Sequence, residues 1–65
     1  MYRVAKIVGQ GLDVFGAKGY ELLYLNGKKK ILSKDLVRLK VSLGDLTILN
    51  PNKDIERVLR KNKLN

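Results

Sequence analysis

The Asn26-Gly27 dipeptide constrains the fold of this chain more than any other feature of its sequence. The segments on either side of it are rich in β-favouring residues: residues 20–25 (YELLYL) and 28–32 (KKKIL). Asn-Gly favours a two-residue type I′ turn, because both central positions of that turn need a positive φ. Such a turn fixes the register of the two strands and places Tyr24 opposite Lys29. The sequence therefore predicts a β-hairpin at Asn26-Gly27.

Two further segments have the composition of strands. Residues 2–8 (YRVAKIV) form a predicted first strand, and residues 46–49 (LTIL) form a short strand late in the chain. Between the first strand and the hairpin, residues 9–19 contain four glycines and are interpreted as a loop. Within that loop, the apolar residues 12–15 fit either an extra strand or a flap packed on the domain.

Residues 33–43 (SKDLVRLKVSL) carry two competing patterns. Apolar residues alternate with polar ones from residue 37 to residue 43, which is typical of a strand. However, Ser33 suits a helix N-cap, Asp35 suits a first helical turn, and Gly44 suits the position after a helix. Because the signals at both ends agree, we expect a helix.

The last segment is predicted to be a second helix, from about residue 52 to residue 61. Pro51 suits a first helical position and Asn50 the cap before it, and Ile55 and Val58 begin an apolar stripe at helical spacing. The predicted order is β-β-β-α-β-α. We expect one α+β domain over residues 1–65, a small antiparallel sheet with one or two helices packed on one face.

Residue types limit the chemistry that this chain can perform. It contains no Cys and no His, which excludes disulfides, the usual zinc sites, and the bases that commonly activate a Ser or Thr nucleophile. The six carboxylates are scattered, and the glycine spacings after the first strand lack the Lys and Ser or Thr of a phosphate-binding loop. The sequence predicts a protein that is not an enzyme and has no cofactor or metal.

Positive charge is the strongest functional signal. The formal net charge is +8, and residues 28–40 contain six Lys or Arg against one Asp, while residues 57–63 contain four and no acid. Clustered cations of this kind bind phosphate backbones, although lysines on an exposed strand also discourage aggregation between sheet edges. The candidate anion-binding residues are Lys28, Lys30, Lys34, Arg38 and Lys40.

Several short motifs carry a resemblance. They are Gly19-Tyr20-x-Leu22, Asn26-Gly27, Leu32-Ser33-Lys34 and Gly44-Asp45-x-x-Ile48-x-Asn50. With these turns and caps, the chain resembles small uncharacterised accessory proteins of Gram-positive bacteria and their phages. The resemblance implies no catalytic residues.

These observations predict a small binding module. The favoured partner is the backbone of DNA or RNA, and the alternative is an acidic protein, bound by a phage-encoded interaction or inhibitor module. A cytoplasmic location is expected, because charges interrupt the first apolar run and no segment is long enough to span a membrane. The oligomeric state stays open.

Overall fold

The structure, a computed structural model, describes residues 3–63 and contains four strands and two helices. The elements are β1 (Arg3–Leu12), β2 (Lys18–Tyr24), β3 (Lys29–Ser33), α1 (Lys34–Ser42), β4 (Leu46–Ile48) and α2 (Lys53–Lys63). The predicted order and the α+β class are confirmed. Tyr2, with which the first predicted strand begins, lies outside the described residues.

The sheet has the strand order β3-β2-β1-β4. β1, β2 and β3 form an antiparallel meander, as expected, whereas β4 pairs in parallel with Arg3–Ala5 at the start of β1. A parallel neighbour requires a long crossover connection, and α1 provides it between β3 and β4. The helix therefore lies across the sheet, and the sheet is mixed.

The hairpin lies where Asn26-Gly27 predicts it, but its turn type and register differ from the prediction. A positive φ occurs at Gly27 (+85°) and not at Asn26. The amide of Gly27 donates to Tyr24 O (3.0 Å), and the amide of Tyr24 donates to Lys28 O (2.9 Å). These bonds define a three-residue loop, a type I turn closed by a bulge. The register shifts by one residue, so that Leu23 rather than Tyr24 lies opposite Lys29.

The predicted glycine loop is only partly a loop. β1 continues through Gly9 and Gly11 to Leu12, with an irregularity in its pairing to β2 between Ile7 and Gly9. A β-bulge inserts an extra residue without ending a strand, which explains how a glycine-rich segment remains in the sheet. The turn between β1 and β2 occupies only residues 13–17.

The helix interpretation of residues 33–43 is confirmed. Ser33 Oγ accepts a hydrogen bond from the amide of Leu36 at 3.2 Å. At the other end Gly44 has a φ of +80°, and the amide of Asp45 donates to Lys40 O at 2.9 Å, as in a Schellman ending. Val37 and Val41, one helical turn apart, are buried.

The prediction of Asn50 as the cap of α2 is wrong, and the cap is Asn52. Asn52 Oδ1 accepts from the amide of Ile55 at 3.0 Å. The Asn50 side chain instead bonds the backbone of Ile7, with Oδ1 accepting from Ile7 N and Nδ2 donating to Ile7 O, both at 2.8 Å. Asn50 thus continues the pairing of β4 along the edge of β1.

Both helices contribute to one core on one side of the sheet. Its buried members are Ala5, Tyr20, Leu22, Val37, Val41, Leu46, Ile48 and Ile55. Tyr20 and Leu22 alternate with the less buried Glu21 and Leu23 along β2, because successive strand residues point to opposite faces. The predicted packing of helices on one face of the sheet is confirmed.

Candidate functional site

A cationic groove lies at the end of the sheet where β1 begins and the β2–β3 turn closes. Its lining residues are Arg3, Val4, Tyr24, Leu25, Asn26, Lys28, Lys29 and Lys30. Four of these are cations, and no carboxylate is among the lining residues that the structure describes. The pairing of β1 with β2 places Ala5 opposite Tyr24. This pairing brings Arg3 close to the three lysines.

Arg3 is held at the groove by its own backbone and by an aromatic ring. Its amide donates to Asp45 O at 3.2 Å, and its guanidinium carbon lies 5.9 Å from the ring centroid of Tyr24. The Tyr24 ring in turn packs against the core as a partly buried side chain. A guanidinium over an aromatic face is a favourable cation–π arrangement. The charge of Arg3 is therefore presented from an ordered position.

The three lysines come from the turn and from the edge strand β3. The amide of Lys28 donates to Asn26 Oδ1 at 3.0 Å, which fixes the backbone where the turn joins the strand. Lys29 and Lys30 are exposed and point to opposite faces of the sheet. They therefore place positive charge on both sides of this edge, where they also discourage pairing with another sheet.

The groove combines charge with apolar contact surface. Its lining includes Val4, Tyr24 and Leu25, and the Leu25 side chain is 75% exposed. Four cations in a groove whose described lining contains no carboxylate create a positive potential that attracts anions. Apolar and aromatic side chains beside them suit a ligand that carries phosphate groups on a less polar framework.

The five residues predicted from sequence divide between this groove and α1. Lys28 and Lys30 line the groove, while Lys34, Arg38 and Lys40 belong to α1 and do not. Lys34 Nζ lies 5.3 Å from the ring centroid of Tyr20. Lys40 occupies the last turn of α1.

Arg38 makes both ion pairs that the structure shows among its described residues. Its Nε donates to Asp54 Oδ1 and Oδ2 at 2.8 and 3.0 Å, and its Nη1 donates to Asp35 Oδ1 at 2.7 Å. The bond from Arg38 lowers the pKa of Asp54 and raises that of Arg38. Arg38 thus joins α1 to α2, and two carboxylates already offset its charge.

A second basic surface lies on α2. A depression there is lined by Arg38, Asp54, Arg57, Val58, Arg60 and Lys61. Arg57 and Arg60 also border a neighbouring depression, together with Lys53 and Glu56. Unlike the groove, each of these depressions contains a carboxylate, so the local excess of positive charge is smaller.

The sequence did not identify Arg3 as a site residue. Arg3 lies far from residues 28–40 in the chain, and only the pairing of β1 with β2 brings it to Tyr24. The sequence did indicate that Arg3 belongs to a strand, because residues 2–8 are rich in β-favouring residues and are predicted to join the sheet. The partner and register of that strand depend on tertiary contacts.

Comparisons with known proteins leave the chemistry of the site as the main guide to function. No protein-family model, curated protein or solved structure matches the chain. Within residues 3–63, no group of three or more acidic side chains is arranged to hold a metal ion. No helix in that same part of the chain has the length and apolar character to cross a membrane. The resemblance to accessory proteins of Gram-positive bacteria and phages stays a prediction.

Proposed function

We propose that this protein binds the phosphate backbone of DNA or RNA in the cationic groove. The observation that carries the proposal is that Arg3, from the first strand, lines the same groove as Lys28, Lys29 and Lys30, from the β2–β3 turn and the edge strand. Cations that neutralise phosphates release condensed counterions, which drives association and makes it sensitive to salt. The protein acts as a binding module rather than an enzyme.

The same groove suits single strands as well as duplexes. Arg3 lies over the Tyr24 ring, and the outer face of its guanidinium offers a flat cationic surface on which an unpaired base stacks. Lysines, in contrast, contact phosphates as point charges and carry no information about base sequence. We therefore expect binding with little sequence preference. The cytoplasm, where nucleic acid is accessible, is the compartment that this proposal implies.

Fluorescence anisotropy with labelled DNA and RNA oligonucleotides of mixed sequence tests the proposal. Arg3→Glu and Lys29→Glu should each weaken binding by roughly tenfold at low salt. For the wild-type protein, the affinity should fall as salt rises, with a log–log slope of about 0.9 per phosphate neutralised on duplex DNA and about 0.7 on a single strand.

Lys18→Glu is the matched control, because it changes the net charge equally but lies at the opposite end of β2 from Tyr24. It should retain most of the affinity. If Lys18→Glu weakens binding as much as the groove variants, only the total charge matters and the groove is not the site. Absence of binding at low salt would reject nucleic acid and favour an acidic protein as the partner of the same cations.

A further inference from the structure

The turn between β1 and β2 projects two large apolar side chains into solvent. Val14 is 92% exposed and Phe15 is 91% exposed. Single hydrophobic residues are common on protein surfaces, but here two adjacent apolar side chains are almost fully exposed at the tip of a hairpin. Leu12, at the end of β1, adds a third exposed apolar side chain beside them.

This turn is ordered by hydrogen bonds within residues 13–17. The amide of Asp13 donates to Ala17 O (2.9 Å), and the amide of Gly16 donates to Asp13 O (3.0 Å). Asp13 Oδ1 accepts from the amides of Phe15 and Ala17, both at 2.9 Å. Because the backbone is already fixed, a partner that binds the tip does not meet the entropy cost of ordering it.

With more than nine-tenths of each side chain exposed, Val14 and Phe15 contribute little to packing among residues 3–63. The β2–β3 turn has the same hydrogen-bond pattern around Gly27, and there the residue directly before the glycine is the polar Asn26. Phe15 occupies the equivalent position before Gly16. The geometry of the turn therefore does not require an aromatic residue at this position.

The tip lies far from the cationic groove. Arg3, at the groove, and Leu12, beside the tip, are the two ends of the ten-residue strand β1, and ten residues at about 3.3 Å each span roughly 30 Å. A phosphate group bound at the groove therefore lies too far away to contact the tip. The two features are distinct surfaces of the protein.

The charges around the tip favour a protein as its occupant. The Asp13 carboxylate is engaged within the turn, and the cation nearest in the sequence is Lys18, which is exposed at the start of β2. A polyanion or an anionic membrane surface is held by several clustered cations, and the cationic groove lies at the other end of the sheet. A narrow apolar projection with one flanking cation fits an apolar pocket with an acidic rim.

We propose that Val14 and Phe15 insert into an apolar pocket of a partner protein, with an acidic group of that partner facing Lys18. The net charge of +8 steers the encounter toward an acidic surface, and the two apolar side chains supply the contact that slows dissociation. Aromatic side chains that enter a pocket are typical anchors of protein interfaces. This interaction is separate from the proposed binding of nucleic acid.

Site-specific photocrosslinking in the cells that make the protein identifies the occupant. Phe15 is replaced by p-benzoylphenylalanine, and Leu25 is replaced in the same way as a control at the other hairpin turn. We expect one discrete protein adduct from position 15, absent from position 25 and lost when Val14→Asp is added. Adducts to a second copy of this chain, to nucleic acid or to lipid would reject the proposal, as would the absence of any adduct.

Reconstitution with the purified partner then separates a specific contact from a chance neighbour. Phe15→Ser should lower the affinity at least about tenfold, while the exposed position leaves the melting temperature unchanged. Lys18→Glu should slow association most strongly at low salt, and more than Arg3→Glu, which lowers the net charge equally but lies at the other end of β1 from the tip. A change of less than about twofold for Phe15→Ser would overturn the proposal.

Discussion

The hydroxyl of Tyr20 donates a hydrogen bond of 2.7 Å to Oδ2 of Asp54, 34 residues later in the chain. The same carboxylate accepts two bonds from Arg38 Nε, so that β2, α1 and α2 meet at one acidic group. Burial and the bond to Asp54 raise the pKa of Tyr20, while the bond from Arg38 lowers the pKa of Asp54. This carboxylate links the C-terminal helix to the rest of the fold.

Acidification should therefore weaken the fold through Asp54. Because its pKa in the folded state lies below the ordinary value of 3.8, the unfolded chain takes up the proton first as the pH falls. The stabilisation is fully present above that ordinary value and is lost as the pH falls through the lowered pKa. Asp54→Asn should lower stability at neutral pH by about 1–2 kcal/mol, since the pair is partly exposed.

Thermal melts from neutral pH down to about pH 2 measure this effect. Asp54→Asn should lose part of the acid-dependent fall in melting temperature that the wild-type protein shows. Glu56→Gln, a change of an exposed carboxylate on the same helix, serves as the control and should keep the wild-type dependence. An unchanged acid dependence in Asp54→Asn would show that this carboxylate does not couple folding to pH.

Gly19 should be intolerant of even the smallest side chain. A Cβ at this position would lie 2.3 Å from the backbone oxygen of Leu32 on β3, so two strands would have to separate. We expect Gly19→Ala to cost about 1–3 kcal/mol, the range for overpacking. Gly9→Ala is the matched control, because its nearest contact is an ordinary 3.5 Å to the Glu21 side chain. Chemical denaturation of both variants tests the difference, and equal stabilities would contradict it.

The β2–β3 turn should depend on the left-handed backbone of Gly27. Its φ of +85° is strained for a β-branched residue, so Gly27→Val should lower stability by about 1–2 kcal/mol. Gly27→Asn should recover part of that loss, because Asn tolerates the left-handed region better than Val. Melting temperatures of the three proteins check the order, and a Gly27→Val variant as stable as the wild-type protein would show that the turn relaxes without cost.

The position of this hairpin could be predicted from the sequence, but its register could not. Asn26-Gly27 marks a turn in either geometry, and the choice depends on whether Asn26 itself adopts a positive φ. In the structure Asn26 instead uses its side chain to accept from the amide of Lys28, and the turn includes one residue more than a type I′ turn. This single residue changes which side chain faces Lys29.

The site could be predicted only in part, because charge density does not reveal which cations already have partners. Lys28 and Lys30 line the groove as residues of a dense cationic segment. Arg38 belongs to the same segment, yet it pairs with Asp54, 16 residues away in sequence, as well as with Asp35. The helix could be predicted from its caps, since these are local signals, whereas the packing of α2 against it depends on tertiary contacts.

Lys30 and Arg38 belong to the same cationic segment, but Arg38 is paired with two carboxylates whereas Lys30 lines the groove. Reversing the charge of each residue should therefore have a different effect. Lys30→Glu changes an exposed residue at the groove, so it should weaken nucleic-acid binding by several-fold at low salt and leave the melting temperature unchanged. Arg38→Glu would instead place a third carboxylate beside Asp35 and Asp54. We expect it to destabilise the protein by about 1–3 kcal/mol, because it breaks both ion pairs of a partly exposed side chain and adds repulsion between carboxylates.

Parallel measurements of melting temperature and anisotropy distinguish the two effects. Arg38→Glu should lower the melting temperature, while the fraction that remains folded keeps most of its affinity. Lys30→Glu should lower the affinity and leave the melting temperature unchanged. Arg38→Met keeps the length of the side chain without adding a negative charge, and should fall between wild type and Arg38→Glu in stability. If Arg38→Glu melts like the wild-type protein but loses nucleic-acid binding, the anion-binding surface includes α1, and Arg38 acts on the ligand rather than on Asp54.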